Sequence, residues 1–198
     1  MHRKLLTTGL LLLASNLAMA LSYYESEEEL KLWRDVVRPG HILLIEHAEA
    51  AITEDPAKLD AQACYKFLNL TDSGKTQAKR YYNTLHRHDL QDAMVYSSQW
   101  CRAIETATRL GLGVAHELPM LNAPTSENPA IIKLQTDTLA KWLKRQSLKH
   151  PHVLVTHKEV IQQLTGVVPA KDEAIVLYRD KRRRLTIKGH LPLIHVIK

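Results

Sequence analysis

Three short apolar runs, each passing into polar residues, organise the middle of the chain: Ile42-Leu43-Leu44-Ile45 before Glu46-His47, Met94-Val95-Tyr96 before Ser97-Ser98, and Val153-Leu154-Val155 before Thr156-His157. Runs of this kind bounded by turn signals read as buried strands. Around them the spacing is helical. Residues 26–38 put Leu30, Trp33 and Val37 on one face with Leu32 and Val36 beside it, and Pro39-Gly40 stops the helix. Strand 41–46 follows. The polar stretch 48–69 is longer than an ordinary connection and reads as a lid or substrate loop. Thr71 is a candidate N-cap for a helix reaching about His86. Next come strand 93–97, helix 101–110, a short strand near 114–118 and helix 130–147. Strand 152–156, helix 158–165 and strand 173–179 follow, and the tail 184–197 adds one more strand or a hairpin. This alternation predicts an α/β fold: a three-layer sandwich, its mainly parallel sheet covered by helices on both faces.

If the three runs lie parallel, His47, Arg102 and His157 arrive at one carboxyl-terminal edge, where open α/β sheets bind ligands. Two imidazoles and a guanidinium there suit an anion, most simply phosphate. Gly74-Lys75-Thr76 resembles the end of a P-loop, but that motif needs a glycine five residues earlier, where Asn69 stands.

The amino terminus changes the picture of location. Arg3 and Lys4, the apolar stretch containing Leu10 to Ala14, and Ala18-Met19-Ala20 have the order of a cleavable signal peptide, 1–20. Residues 21–40 then form a lead-in helix, and 41–198 one domain. The expected location is periplasmic or secreted, with no transmembrane segment in the mature chain. Setting aside Arg3 and Lys4, 25 basic residues face 21 acidic ones. That excess is too small to argue for nucleic acid. Lys181-Arg182-Arg183-Arg184 reads as a solvated turn between late strands, with contact to anionic lipid as the alternative. His86-Arg87-His88 reads as the polar end of a helix. An even cysteine count in an exported chain favours a Cys64–Cys101 disulfide, and no histidine cluster at ligand spacing accompanies either cysteine.

Four motifs together resemble the histidine phosphatase superfamily, also called phosphoglycerate mutase-like. Leu70-Thr71-Asp72-Ser73-Gly74-Lys75-Thr76-Gln77-Ala78 is similar to its LTxxGxxQA helix start. The segment from Tyr96 to Ala107 follows its YSSxxxRAxETA pattern, and Val153 to His157 its second-histidine strand. Glu46-His47 stands where the family carries Arg-His. The Trp100-Cys101-Arg102 and 172–177 segments look most like a small exported branch. The resemblance implies a phosphohistidine mechanism, with His47 as nucleophile, Arg102 as phosphate clamp and His157 as the second histidine. It implies no metal and no cofactor. The expected partner is a phosphorylated small molecule or an envelope sugar phosphate.

Glu46 is the departure that matters. A unit charge about 5 Å from the ligand is worth roughly 3 kcal/mol at an effective dielectric near 20, so exchanging Arg for Glu in the pocket costs about 6 kcal/mol of phosphate binding. Leu68 stands where related exported sequences often have a further arginine. No general acid is evident at Asn122-Ala123; Glu117, Glu127 or a residue of 48–69 are the alternatives. Glu46 admits three readings: it inactivates the site, it is protonated by burial and donates a proton, or it points away while Lys66, Lys75 or Lys158 compensates. The corresponding functions are a phosphatase, or a catalytically impaired exported binding protein on the same scaffold.

Overall fold

The computed structural model describes residues 25–51 and 70–194. The expected signal peptide 1–20, Cys64, Lys66, Leu68, the greater part of the 48–69 stretch and the last four residues lie outside them. Helix α1 (Glu27–Val36) opens on a capping box between Ser26 and Glu29 and leads into β1 (His41–Glu46). There follow α2 (Asp72–Arg87), β2 (Met94–Ser97), α3 (Cys101–Arg109) and β3 (Ala115–Glu117). A 3-10 turn (Pro119–Leu121), α4 (Pro129–Arg145), β4 (His152–Thr156), α5 (Lys158–Thr165), β5 (Glu173–Arg179) and β6 (Leu185–Pro192) complete the order.

One six-stranded sheet runs β3-β2-β4-β1-β5-β6. β1, β2, β3 and β4 are mutually parallel, whereas β5 is antiparallel to β1 and β6 antiparallel to β5. The direction of β5 follows from the short connection before it. An eight-residue α5 covers only about 12 Å, so β5 enters from the carboxyl edge, where Ala174 pairs with Ile45.

Side-chain alternation along the central strands divides the core into two layers. Leu43, Ile45, Val153 and Val155 pack with Trp33, Val36, Tyr81, Leu85, Ala103 and Ala107 of α1–α3. Ile42, Leu44 and Leu154 pack with Leu139, Leu143, Val160 and Ile161 of α4 and α5. Each fully buried aliphatic side chain contributes about 1.5–3 kcal/mol, and β4 is buried along its whole length. The three-layer sandwich is therefore built on a sheet whose centre, β4 and β1, carries the two histidines at its carboxyl ends. Among the described residues no helix is long and apolar enough to cross a membrane.

The basic run 181–184 lies in the turn between β5 and β6, where Arg184 pairs with Asp180 at 2.7 Å. His86 and Arg87 close α2, and His88 is its C-cap. His88 also stacks on Trp33 with ring centroids 4.2 Å apart.

Candidate active site

Three strand ends deliver the site. The backbone N–H of His47 donates to Thr156 O at 3.0 Å and that of Ser98 to Val155 O at 2.9 Å, so the pairing of β1, β4 and β2 continues into the functional residues. His47, Arg102 and His157 converge. The Arg102 Nε–H donates to His47 Nε2 at 2.9 Å, and its NH2 lies 3.3 Å from His157 Nδ1. The imidazole centroids are 5.1 Å apart. His47 Nδ1 lies 2.8 Å from Ala48 O. A carbonyl can only accept, so Nδ1 carries the proton and Nε2 presents its lone pair.

Electrostatics keep both rings neutral. Burial, opposed by the Ala48 hydrogen bond and aided by the Arg102 charge, lowers His47 to about 4. Burial, then His47 and Arg102, lowers His157 to about 2, and that ring is only 1% exposed. The Arg102 guanidinium lies over the Trp100 ring at 4.2 Å, and Trp100 meets His157 edge-on at 4.9 Å.

The segment after His47 is pinned by residues of the two sequence motifs. Thr106 Oγ1 accepts from the buried Ala48 N–H at 3.0 Å and donates to Arg102 O at 2.7 Å. Gln77 Oε1 accepts from Glu49 N–H at 2.7 Å. Thr71 caps α2 through Gly74 N–H at 2.9 Å. A Cβ on Gly74 would lie 1.9 Å from Glu49 O, so the glycine of LTxxG is a packing requirement of the segment after His47.

Glu46 sits differently. Alternation places it with Ile42 and Leu44 toward α4 and α5, while His47 follows Ile45 toward α3. Burial raises its pKa, Lys158 opposes that rise, and Glu159 and Asp172 add to it. Lys158 is exposed at the first position of α5. The charges acting on His47 and Arg102 include Glu159, which raises both. Lys75 is exposed and pairs with Asp72 at 2.9 Å, while Glu117 and Glu127 are exposed. Among the described residues no cluster suited to a metal ion occurs.

Trp100, Glu159 and the Ser98–Asn122 pair escape the sequence reading as functional residues. Trp100 occupies a variable position of its motif, though its place directly before Cys101-Arg102 is the available signal. Asn122 draws attention there only as a position without an acid. In the structure its Oδ1 accepts from Ser98 Oγ at 3.0 Å and Gln99 N–H at 2.8 Å.

Comparison with known proteins agrees with this architecture. Residues 42–123 match the family model "Histidine phosphatase superfamily (branch 1)", while no curated protein matches the chain. Among solved structures, the protein histidine phosphatase SixA complexed with tungstate is 17% identical with a TM-score of 0.57, over 77% of this chain and 97% of that one. A phosphoserine phosphatase mutant from Entamoeba histolytica, in complex with phosphoserine, is 12% identical at TM-score 0.57 over the same shares, 77% and 97%. A mycobacterial glucosyl-3-phosphoglycerate phosphatase with inorganic phosphate is 15% identical at TM-score 0.53, over 78% and 99%. At such identities the structural likeness is one of fold. Joined with the family match over 42–123, it shows that this chain has the histidine phosphatase, or phosphoglycerate mutase-like, fold.

Proposed function

We propose that the chain hydrolyses phosphate monoesters through a phosphohistidine formed at Nε2 of His47. The observation that carries this reading is the orientation of that ring. Its Nδ1–H is committed to Ala48 O, and its Nε2 lone pair faces the Arg102 guanidinium. At neutral pH a pKa of about 4 leaves the nucleophile unprotonated.

In the first step His47 Nε2 attacks phosphorus, a P–N bond forms, the ester P–O bond breaks, and the leaving oxygen takes a proton from solvent water. In the second, water attacks phosphorus and the P–N bond breaks, regenerating the lone pair and releasing phosphate. Arg102 exchanges its contacts with the imidazoles for non-bridging oxygens, where its N–H donors offset charge developing in transfer. His157 forms the opposite wall. Substrates are phosphorylated small molecules, with envelope sugar phosphates favoured by the expected location. Phosphoserine and glucosyl-3-phosphoglycerate in the names of the structural neighbours support that chemical class.

Export after cleavage of 1–20, the lead-in segment 21–40, the domain 41–198 and the Cys64–Cys101 bridge belong to the same reading. The bridge is supported by the buried position of Cys101 at the start of α3; no described cysteine is free.

The impaired-scaffold reading rests on Glu46. The active reading has more support, since Lys158, Glu159 and Asp172 act on Glu46, and Glu46 acts on Tyr81 rather than on the His47–Arg102–His157 group. Hydrolysis of an aryl phosphate by wild type and His47→Ala decides between them. Wild-type turnover with acid-labile phosphate on His47, absent from the variant, is expected. Equal background rates would refute the enzyme, and a large gain from Glu46→Arg would identify Glu46 as the brake.

A further inference from the structure

Arg102 can only donate hydrogen bonds, so the His157 Nδ1 that it approaches at 3.3 Å acts as an acceptor. The single proton of the neutral ring then sits on Nε2, 2.9 Å from Ser98 Oγ. The other end of the chain of contacts gives the same answer independently. The backbone N–H of Gln99 meets one atom of the Asn122 amide at 2.8 Å, and only an oxygen can accept it. The amide nitrogen donates instead to Gln99 Oε1 at 3.2 Å. Asn122 Oδ1 therefore takes the only proton of the Ser98 hydroxyl, at 3.0 Å. Ser98 Oγ is left with lone pairs, which accept from His157 Nε2–H and from Trp100 N–H at 3.1 Å.

These contacts are built into the fold. Ser98 is fully buried and His157 is 1% exposed. Gln135 of α4 donates to Asn122 O at 2.7 Å and to Met120 O at 3.2 Å, which fixes the segment carrying the amide.

We propose that Ser98 and Asn122 are positioning residues that hold His157 as its Nε2–H tautomer, so that its Nδ1 lone pair keeps the Arg102 guanidinium turned toward His47. In the other tautomer an Nδ1–H would face a guanidinium N–H, donor against donor, and Arg102 would leave the pocket wall. Neither Ser98 nor Asn122 touches the reacting phosphate; both act through His157. The catalytic consequence rests on the phosphohistidine reading, but the tautomer does not.

The test is ring 15N NMR of the full mature protein, with His157 assigned by comparison with His157→Gln, alongside steady-state kinetics on an aryl phosphate. Wild type is expected to show the Nε2–H form. Ser98→Ala and Asn122→Leu are expected to mix the tautomers and lower kcat about tenfold to a hundredfold, with KM moved less than about threefold. Asn122→Asp, which keeps an acceptor for Ser98 and Gln99, should restore the wild-type tautomer. An Nδ1–H ring in wild type, or an unchanged tautomer in the folded Ser98→Ala or Asn122→Leu variant, would overturn the proposal. If Ser98→Ala does not fold, the wild-type and Asn122→Leu spectra decide. A wild type without turnover would sink the phosphatase reading, while the spectra would still judge the tautomer.

Discussion

Acidifying the protein from pH 7 to pH 5 challenges the paired imidazoles most directly. In the folded chain burial, His47 and Arg102 lower His157 to about 2, against an ordinary value of 6.5. Below about pH 6.5 the unfolded chain therefore binds the extra proton and the native state does not. Stability must fall as pH falls, from about 6.5 down toward the folded value. At pH 5 the folded ring is still neutral, so the penalty depends only on the unfolded titration and amounts to about 2 kcal/mol. His157 is 1% exposed, so solvent screening removes little of this. For a domain of this size it corresponds to a loss of about 4–8 °C in Tm. His47, lowered to about 4, contributes a loss of similar size over the same interval. Thermal melts of wild type and His157→Gln at pH 7, 6 and 5 isolate the His157 share. His41 and His152, also lowered by burial, remain in both proteins and cancel. Wild-type Tm should fall more steeply by about 4–8 °C. Parallel curves for the two proteins would show that His157 is not buried neutral, and the electrostatic account of the site would fail.

Gly74→Ala should cost about 3 kcal/mol or more, because a Cβ 1.9 Å from Glu49 O forces the backbone after His47 to move; a melting temperature within a degree of wild type would contradict that packing. Glu46→Gln should raise Tm, since burial disfavours the charged carboxylate, and change vanadate affinity by less than about threefold; a tenfold gain would mean that Glu46 faces the pocket. Reduction should destabilise the protein by about 4 kcal/mol on the chain-entropy account of a Cys64–Cys101 bridge. Two free thiols in its intact mass would refute that bridge.

Strand positions were the most legible part of the fold. β1, β4 and β5 coincide with the predicted 41–46, 152–156 and 173–179 because apolar runs flanked by turn residues fix both ends. The Thr71 cap was readable for the same local reason. The direction of β5 was not, because it depends on how far the preceding helix carries the chain across the sheet. Within the site, His47, Arg102 and His157 were visible as residues at the ends of three runs, and their convergence follows from parallel pairing. The contacts among Ser98, Asn122 and His157 join positions far apart in sequence through hydroxyl and amide groups. Such groups follow no periodicity, so pattern reading passes over them.

Glu46 shows why a motif comparison needs strand geometry to become an energy. The cost of about 6 kcal/mol for exchanging Arg with Glu holds for a carboxylate at phosphate distance. Position 46 instead shares the sheet face of Ile42 and Leu44, and the charges that shift it are those of Lys158, Glu159 and Asp172. His47, one residue later, turns to the opposite face and meets Arg102. A period of two thus turns adjacent residues to different faces, although the Glu159 charge acts on both. The acid felt by His47 and Arg102 is Glu159 on α5. Its charge, rather than that of Glu46, is the one a bound phosphate would oppose most directly. Neutralising each residue in turn separates the two accounts: Glu159→Gln should improve vanadate binding more than Glu46→Gln, and the reverse order would return Glu46 to the pocket.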